Sequence, residues 1–164
     1  MSSILMWLES TGFGTFVRES ESLLAYPTFS TLHTIGLSII VGLSTVVALR
    51  LVGFARTMRV APLKKLFPIM WVGFAINLFS GSGLAAAAAT TTVPNPLFLA
   101  KITFVIAGVV ILRLLQVKVF RDSDPEGKSR DRTIMILAAS LLCLWLFAMI
   151  TGRFIAYGSF EPLF

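Results

Sequence analysis

The sequence predicts an all-α integral membrane protein, an up-down bundle of four helices that follows a short N-terminal interfacial helical segment. Three observations support this fold class. Hydrophobic residues make up 56% of the 164-residue chain and charged residues only 13%, the mean hydropathy is +0.87, and most charges fall between long apolar runs. This composition excludes an ordinary water-soluble domain. The hydrocarbon of a bilayer offers no hydrogen-bond partners to the backbone. A chain of this length can pair its own backbone groups there most readily by forming helices.

Four apolar runs are each long enough to cross a bilayer. About 20 residues at 1.5 Å per residue cover a hydrocarbon core roughly 30 Å thick. The first run has no charge between Glu21 and Arg50, and Pro27 suits a first helical turn. The bundle is therefore predicted over residues 27–164, with spans at about 27–54, 66–90, 96–119 and 133–157.

Residues 1–26 are predicted to form one or two short helices on the outer membrane surface, apolar side down. The residues that carry this prediction are Ile4, Leu5, Trp7, Leu8, Phe16 and Val17. Trp7 and Tyr26 would then lie at the level of the lipid headgroups. The segment has no basic stretch ahead of an apolar core, so it does not match a cleavable signal peptide.

Lysine and arginine predict the orientation of the bundle. The connection between the first two spans carries Arg50, Arg56, Arg59, Lys64 and Lys65. The connection between the last two carries Arg113, Lys118, Arg121, Lys128, Arg130 and Arg132. The opposite side has only Arg18, Lys101 and Arg153. The positive-inside rule therefore predicts that both basic connections are cytoplasmic and that both termini are periplasmic. The net charge of +6 follows from this topology, and no motif for binding nucleic acid accompanies it.

Four polar side chains within the spans are the candidate ligand-binding residues. His33, Lys101 and Arg153 each lie roughly 7 to 9 Å below a helix end, in the outer leaflet. Asn77 lies deeper in the second span. Polar groups inside a membrane are costly and usually face the protein interior or a wet cavity, which makes them candidates for a site. Two cations just below the outer surface favour an anionic partner.

Each of these residues also has a structural interpretation. Lys101 and Arg153 would extend to the outer headgroups, and Asn77 would form a hydrogen bond between helices. His33 would be a neutral ring hydrogen-bonded to another helix, a ligand of haem or another metal, or a group that transfers protons. The sequence leaves these alternatives open.

Small residues four positions apart indicate where helices approach each other closely. The pairs are Ser38 with Gly42, Gly81 with Ala85, and Gly83 with Ala87. Such spacing is typical of contacts between membrane helices. The spacing predicts close packing within the bundle and a homo-oligomer. The alternative is that a flat cofactor or an isoprenoid packs against the glycines.

The motifs LHTIG, NPLFLAK and TGRFIAYG, together with GFAINLFSGSGLAAAA, resemble those of a family of small bacterial four-helix membrane proteins of uncharacterised function. The recurring patterns are His-x-x-Gly at 33–36, Asn-Pro-x-Phe-x-x-Lys at 95–101 and Gly-Arg-x-x-Ala-Tyr at 152–157. The resemblance implies a multi-pass protein of the bacterial inner membrane. More distantly, the chain is similar to copper-resistance membrane proteins and b-type cytochrome bundles. Those proteins use several helical histidines, whereas this chain has one.

Three functional hypotheses follow. The first is a non-enzymatic membrane protein with an outer-leaflet pocket, lined by His33, Asn77, Lys101 and Arg153, for an anionic, lipid-like or quinone-like ligand. The second is electron transfer by haem b, with His33 as one axial ligand and Met149 or a neighbouring subunit supplying the other. The third is a structural oligomer or an accessory subunit of a larger membrane complex. No catalytic residues are assigned, because no span contains a carboxylate and no metal or phosphate motif is present.

Overall fold

The computed structural model describes residues 2–19, 25–54, 57–121 and 124–158. It is 89% helical, and the described residues contain no strand, so the predicted all-α fold class is confirmed. The helices are α1 (Ser2–Ser10), α2 (Gly12–Glu19), α3 (Ala25–Val52), α4 (Leu66–Ala87), α5 (Ala89–Thr92), α6 (Pro96–Phe120), α7 (Pro125–Lys128) and α8 (Arg132–Gly158), with a 3-10 turn at Ala61–Lys65 before α4.

Four helical segments in the described part of the chain are long and apolar enough to cross a membrane. They cover Tyr26–Val52, Ala61–Ala87, Pro96–Phe120 and Arg132–Ile155. They agree with the four predicted spans to within a few residues at most ends. Asn95 begins α6, because its side chain accepts a hydrogen bond of 2.9 Å from the Leu97 amide. Asp131 begins α8 in the same way, accepting from the Thr133 amide at 2.9 Å.

Two helix ends differ from the prediction. The helix α3 ends at Val52 rather than at residue 54, because Gly53 has a φ of 102° and the Phe54 amide turns back to the Leu49 carbonyl at 3.0 Å. This is the hydrogen-bond pattern that commonly ends a helix at glycine. The helix α4 ends at Ala87, three residues early, because Ala88 leaves the helical conformation with φ −137° and ψ 45°.

The four long helices pack as two hairpins that meet along α3 and α8. The most extensive helix pairs are α3 with α4 and α6 with α8, and α3 with α8 joins them. The largest side chains of the core include Trp145, Phe67, Met70 and Leu112, and each of these four is at most 2% exposed. Its members come from the last half of α3, the first turns of α4, the last third of α6 and the first two thirds of α8. The core therefore occupies the half of the bundle nearest the two basic connections, which we call the basic end.

The basic end is also held together by polar contacts. The Glu126 carboxylate of α7 accepts from the Arg50 guanidinium at 3.3 Å and from the Val60 amide at 2.5 Å. Arg50 also donates from Nε to the Met58 carbonyl. Between α4 and α6, the Trp71 indole donates to Gln116 Oε1 at 3.2 Å. The two basic connections are thus joined to each other and to the end of α3.

The two N-terminal helices lie against the opposite end of the bundle, which we call the outer end. Val17 of α2 is 1% exposed and packs with Phe29 and Ala87 in a second, small core. The Glu9 carboxylate of α1 accepts from the Thr90 hydroxyl at 3.0 Å. The small side chains at the end of α4 thus leave room for α2 to approach.

Candidate functional site

The candidate site is built on a reciprocal pair of hydrogen bonds between α3 and α4. His33 Nδ1 lies 3.1 Å from the Asn77 carbonyl oxygen. Asn77 Nδ2 donates to the His33 carbonyl oxygen at 3.0 Å. The buried Ser80 hydroxyl approaches His33 Nδ1 at 3.4 Å. The structure therefore brings His33 and Asn77 together, in the interhelical hydrogen bonding that was one of the sequence hypotheses for both residues.

Glycines allow the two helices to come this close. A Cβ placed on Gly36 would lie 2.6 Å from the Asn77 amide nitrogen and 2.7 Å from the Gly73 carbonyl oxygen. A Cβ placed on Gly81 would lie 3.0 Å from Cε1 of the His33 ring. Gly36 and Gly73 therefore set the helix separation, and Gly81 provides the surface on which the imidazole rests.

The hydrogen bond to a carbonyl fixes which ring nitrogen of His33 carries hydrogen. A carbonyl oxygen can only accept, so Nδ1 must donate. In the neutral ring this leaves the lone pair on Nε2. Within the described part of the chain, every hydrogen bond of the His33 side chain involves Nδ1. Nε2 is thus the atom of this ring that is available to a ligand.

Lys101 occupies a groove made by a glycine on the neighbouring helix. A Cβ placed on Gly152 of α8 would lie 3.5 Å from both Cε and Nζ of Lys101, so the lysine side chain of α6 lies across that backbone. Lys101 is half-buried. Among the described residues, it has no ion pair and no side-chain hydrogen bond.

The other two candidate side chains are at the bundle surface. Arg153 is exposed, and Met149 is 40% exposed. Hydrogen bonds thus join His33 to Asn77, Lys101 lies against Gly152, and Arg153 is exposed.

The outer end is loosely packed around these polar groups. No residue of α6 before Gly108 is buried, and none of the described side chains of α8 after Ala148 is buried. The main core starts only beyond them, toward the basic end. Lys101 and His33 thus lie in the half of the bundle that has fewer buried apolar side chains.

Sequence reasoning missed three residues of this site. Ser80 is not among the predicted site residues, and the 3.4 Å approach of its hydroxyl to His33 Nδ1 depends on how α4 is rotated. Gly81 was assigned to helix packing and in fact holds the His33 ring. Gly152 was recognised only as part of a motif. A glycine opposite a charged side chain in a neighbouring span is the signal that identifies it.

A scan against protein-family models gave no match, and searches of curated proteins and of solved structures gave none either. The resemblance to small bacterial four-helix membrane proteins therefore rests on the sequence motifs alone. A search for groups of three or more histidine, cysteine, aspartate or glutamate side chains that could hold a metal ion also found none among the described residues.

Proposed function

We propose that this chain is a ligand-binding membrane protein whose outer end holds an anionic or quinone-like amphiphile between α3, α4, α6 and α8. The observation that carries the proposal is the position of Lys101. Its side chain is half-buried within a membrane-spanning helix and lies across Gly152. It has no anionic partner among the described residues. A partly desolvated ammonium without a counter-charge is costly, and an anionic ligand removes that cost.

His33 supplies the second polar contact of the proposed site. Its Nδ1 is held by the Asn77 carbonyl, so Nε2 is oriented by the protein and faces a ligand with a lone pair. A phosphate or carboxylate would bind Lys101 directly. A quinone would accept from Lys101 through a carbonyl oxygen, and its reduced hydroxyl would donate to His33 Nε2. Either ligand has an apolar body that suits the loosely packed outer half of the bundle.

The proposed setting is the bacterial inner membrane, with the outer end and both termini facing the periplasm. The support is the distribution of lysine and arginine, which are concentrated at the basic end. An amphiphile in the outer leaflet would then reach Lys101 and His33 directly from the membrane.

The test is mass spectrometry of the small molecules that purify with the full-length chain in mild detergent. We expect a bound anionic lipid or quinone in the wild type and its loss in Lys101→Gln, because that variant keeps a polar side chain without the charge. The matched control is Lys64→Gln, which removes one charge from an exposed residue of the 3-10 turn at the basic end. The control should retain the ligand.

The result that overturns the proposal is an identical set of bound molecules in the wild type, Lys101→Gln and His33→Ala. The melting temperature of the same samples shows whether a variant has lost its ligand only because it no longer folds. A variant that unfolds at the wild-type temperature and lacks the ligand supports a direct contact.

Haem binding is the second candidate function, and one observation favours it. A histidine whose Nδ1 donates to a backbone carbonyl while Nε2 is open has the arrangement typical of a metal ligand. Met149, the second axial ligand that the sequence suggested, is 40% exposed. The reduced-minus-oxidised visible spectrum of protein from haem-replete cells tests this. A Soret band that is absent in His33→Ala supports haem, and a wild type without the band excludes it.

A further inference from the structure

A cavity at the basic end is surrounded by positive charge. Its volume is about 470 Å³, and it lies between the end of α6, α7 and the start of α8. Three cations line it: Lys118 inside α6, Arg121 just after it, and Lys128 at the end of α7. The lining also includes one carboxylate, that of Asp131. Among the described residues, the lining therefore carries more positive than negative charge, with Lys118 and Arg121 both from the end of α6.

Backbone amides and one carboxylate form the hydrogen bonds that fix the walls of this cavity. Asp131 Oδ1 accepts from the Thr133 amide at 2.9 Å, so this carboxylate is already engaged in capping α8. The Asp131 amide donates to the Lys128 carbonyl at 3.1 Å, and the Lys128 amide donates to the Asp124 carbonyl at 3.1 Å. The backbone that carries two of the lining residues is therefore held in place before any ligand arrives.

An apolar track leads from the cavity along the membrane face of α6. Val117 and Ile134 line the cavity itself. Beyond Val117, Leu114 is 39% exposed and Val110 is 52% exposed. Because these residues of α6 are three and four positions apart, they share one face of the helix. The site thus has basic side chains at the level where α6 ends. Exposed apolar side chains of α6 adjoin them on the side toward the middle of the helix.

We infer that this cavity binds the phosphate of an anionic phospholipid whose acyl chain lies along Val110, Leu114 and Val117. The phosphate lies among Lys118, Arg121 and Lys128. Arginine and lysine are the residues that recognise phosphate oxygens, and basic pockets at the membrane surface hold lipid headgroups. A soluble phosphate would use the same cations, but it would leave the apolar track unoccupied. The site is separate from the one proposed at the outer end, and neither depends on the other.

The experiment uses the full chain, delipidated and placed in nanodiscs of phosphatidylcholine with phosphatidylglycerol added in steps. Binding is measured by native mass spectrometry after release from the discs. We expect one phosphatidylglycerol to be retained by the wild type and about 10- to 30-fold weaker retention by Lys118→Gln/Arg121→Gln, since each basic residue near the headgroup contributes about 1 kcal/mol.

The matched control is Lys64→Gln/Lys65→Gln, which removes the same charge from exposed residues at the same end that do not line the cavity. Charges outside the cavity act only through a screened field, so the control should keep near-wild-type retention. Equal losses in the two double variants would overturn the inference, because they would show a general surface attraction.

Two further arms complete the test. Inorganic phosphate, added to discs of phosphatidylcholine alone, should not raise the melting temperature, whereas phosphatidylglycerol should. If phosphate stabilises the protein and phosphatidylglycerol does not, the lipid is the wrong ligand and the inference fails. If the double variant melts below the wild type in phosphatidylcholine alone, the single variant Lys128→Gln is measured in its place. Retention of phosphatidylglycerol by Lys128→Gln at the wild-type level would also overturn the inference.

Discussion

In the polar pair of the outer end, each side chain bonds to the backbone of the other residue. His33 Nδ1 donates to the Asn77 carbonyl, and Asn77 Nδ2 donates to the His33 carbonyl. The two side chains themselves approach only to 3.4 Å. Removing one side chain therefore leaves the hydrogen bond made by the other side chain available, which distinguishes this pair from an ordinary side-chain contact.

We therefore expect the effects of His33→Ala and Asn77→Ala on the free energy of unfolding to be additive. Each variant should cost about 1 kcal/mol, the usual size of a hydrogen bond between membrane helices. Because the two bonds use different donors and different backbone acceptors, the double variant should equal the sum within about 0.5 kcal/mol, the margin usual for independent sites. Equilibrium unfolding in mixed micelles measures all three. A double variant no less stable than either single variant would contradict the expectation, since it would mean that the two bonds form only together.

The depth of the polar residues could be predicted from the sequence, but their directions could not. Counting residues from the helix ends places His33 and Lys101 at a similar level, and both side chains are half-buried. The same count gave Arg153 a place in the pocket, yet this side chain is exposed. The spans are apolar on nearly every side, so no periodic pattern reports how each helix is rotated. Rotation is set by contacts such as Gly36 against α4, which become visible only once the helices are paired.

At the level of helices, the contact between α3 and α4 depends on backbone approaching backbone. Gly36→Ala would place a methyl group 2.6 Å from the Asn77 amide nitrogen. The Gly73 carbonyl oxygen would lie 2.7 Å from the same methyl group. Both of these neighbours are main-chain atoms, so the helices must move apart. We expect a loss of about 1–3 kcal/mol in the free energy of unfolding and a lower melting temperature in detergent.

The matched control for this prediction is Gly42→Ala on the same helix. Gly42 is exposed, and a Cβ there meets no atom within 4 Å. Alanine also favours the helix, so the melting temperature should be unchanged or slightly higher. Equal destabilisation by the two substitutions would show that the close approach at Gly36 is not what limits stability.

The ends of these helices show where local sequence is a sufficient guide and where it is not. The third span was predicted to begin at residue 96, and α6 does begin at Pro96, where Asn95 caps it. A first-turn proline and a cap both act locally, so the start of such a helix is visible in the sequence. The early end of α4 at Ala87 could not be predicted, since nothing in an alanine run breaks a helix. Glu9 of α1 accepts a hydrogen bond from Thr90, just beyond the end of α4. Because these two residues are far apart in the sequence, the local sequence of α4 cannot reveal the contact.

At the level of the whole molecule, the orientation in the membrane is the prediction on which both sites depend for their biological meaning. Ser3 lies in α1 at the outer end and Ala61 in the basic connection, and both are exposed. In a Cys143→Ser background, Ser3→Cys should react with a membrane-impermeant maleimide in intact cells. Ala61→Cys should react only after permeabilisation. Neither substitution changes a charge, so neither alters the basis of the positive-inside rule.

The opposite labelling pattern would invert the assignment of the two ends. The outer-end site would then face the cytoplasm, and the basic cavity would face the periplasm. The contacts within each site would be unaffected, because they follow from the packing of the helices alone.

The tie made by Glu126 has a consequence for how the protein is assembled during synthesis. Its carboxylate joins Arg50 to an amide that precedes it by 66 residues. Glu126 follows α6 in the sequence, so it leaves the ribosome only after the whole first hairpin, and until then the Arg50 guanidinium stays in water or among headgroups. The connection between α3 and α4 therefore gains its hydrogen bonds to Glu126 only after α6 has emerged. The helix α8 is not needed for these bonds, because it begins at Arg132, after Glu126. The Glu126 contact thus marks the docking of the second basic connection on the first, a step that does not require the last helix.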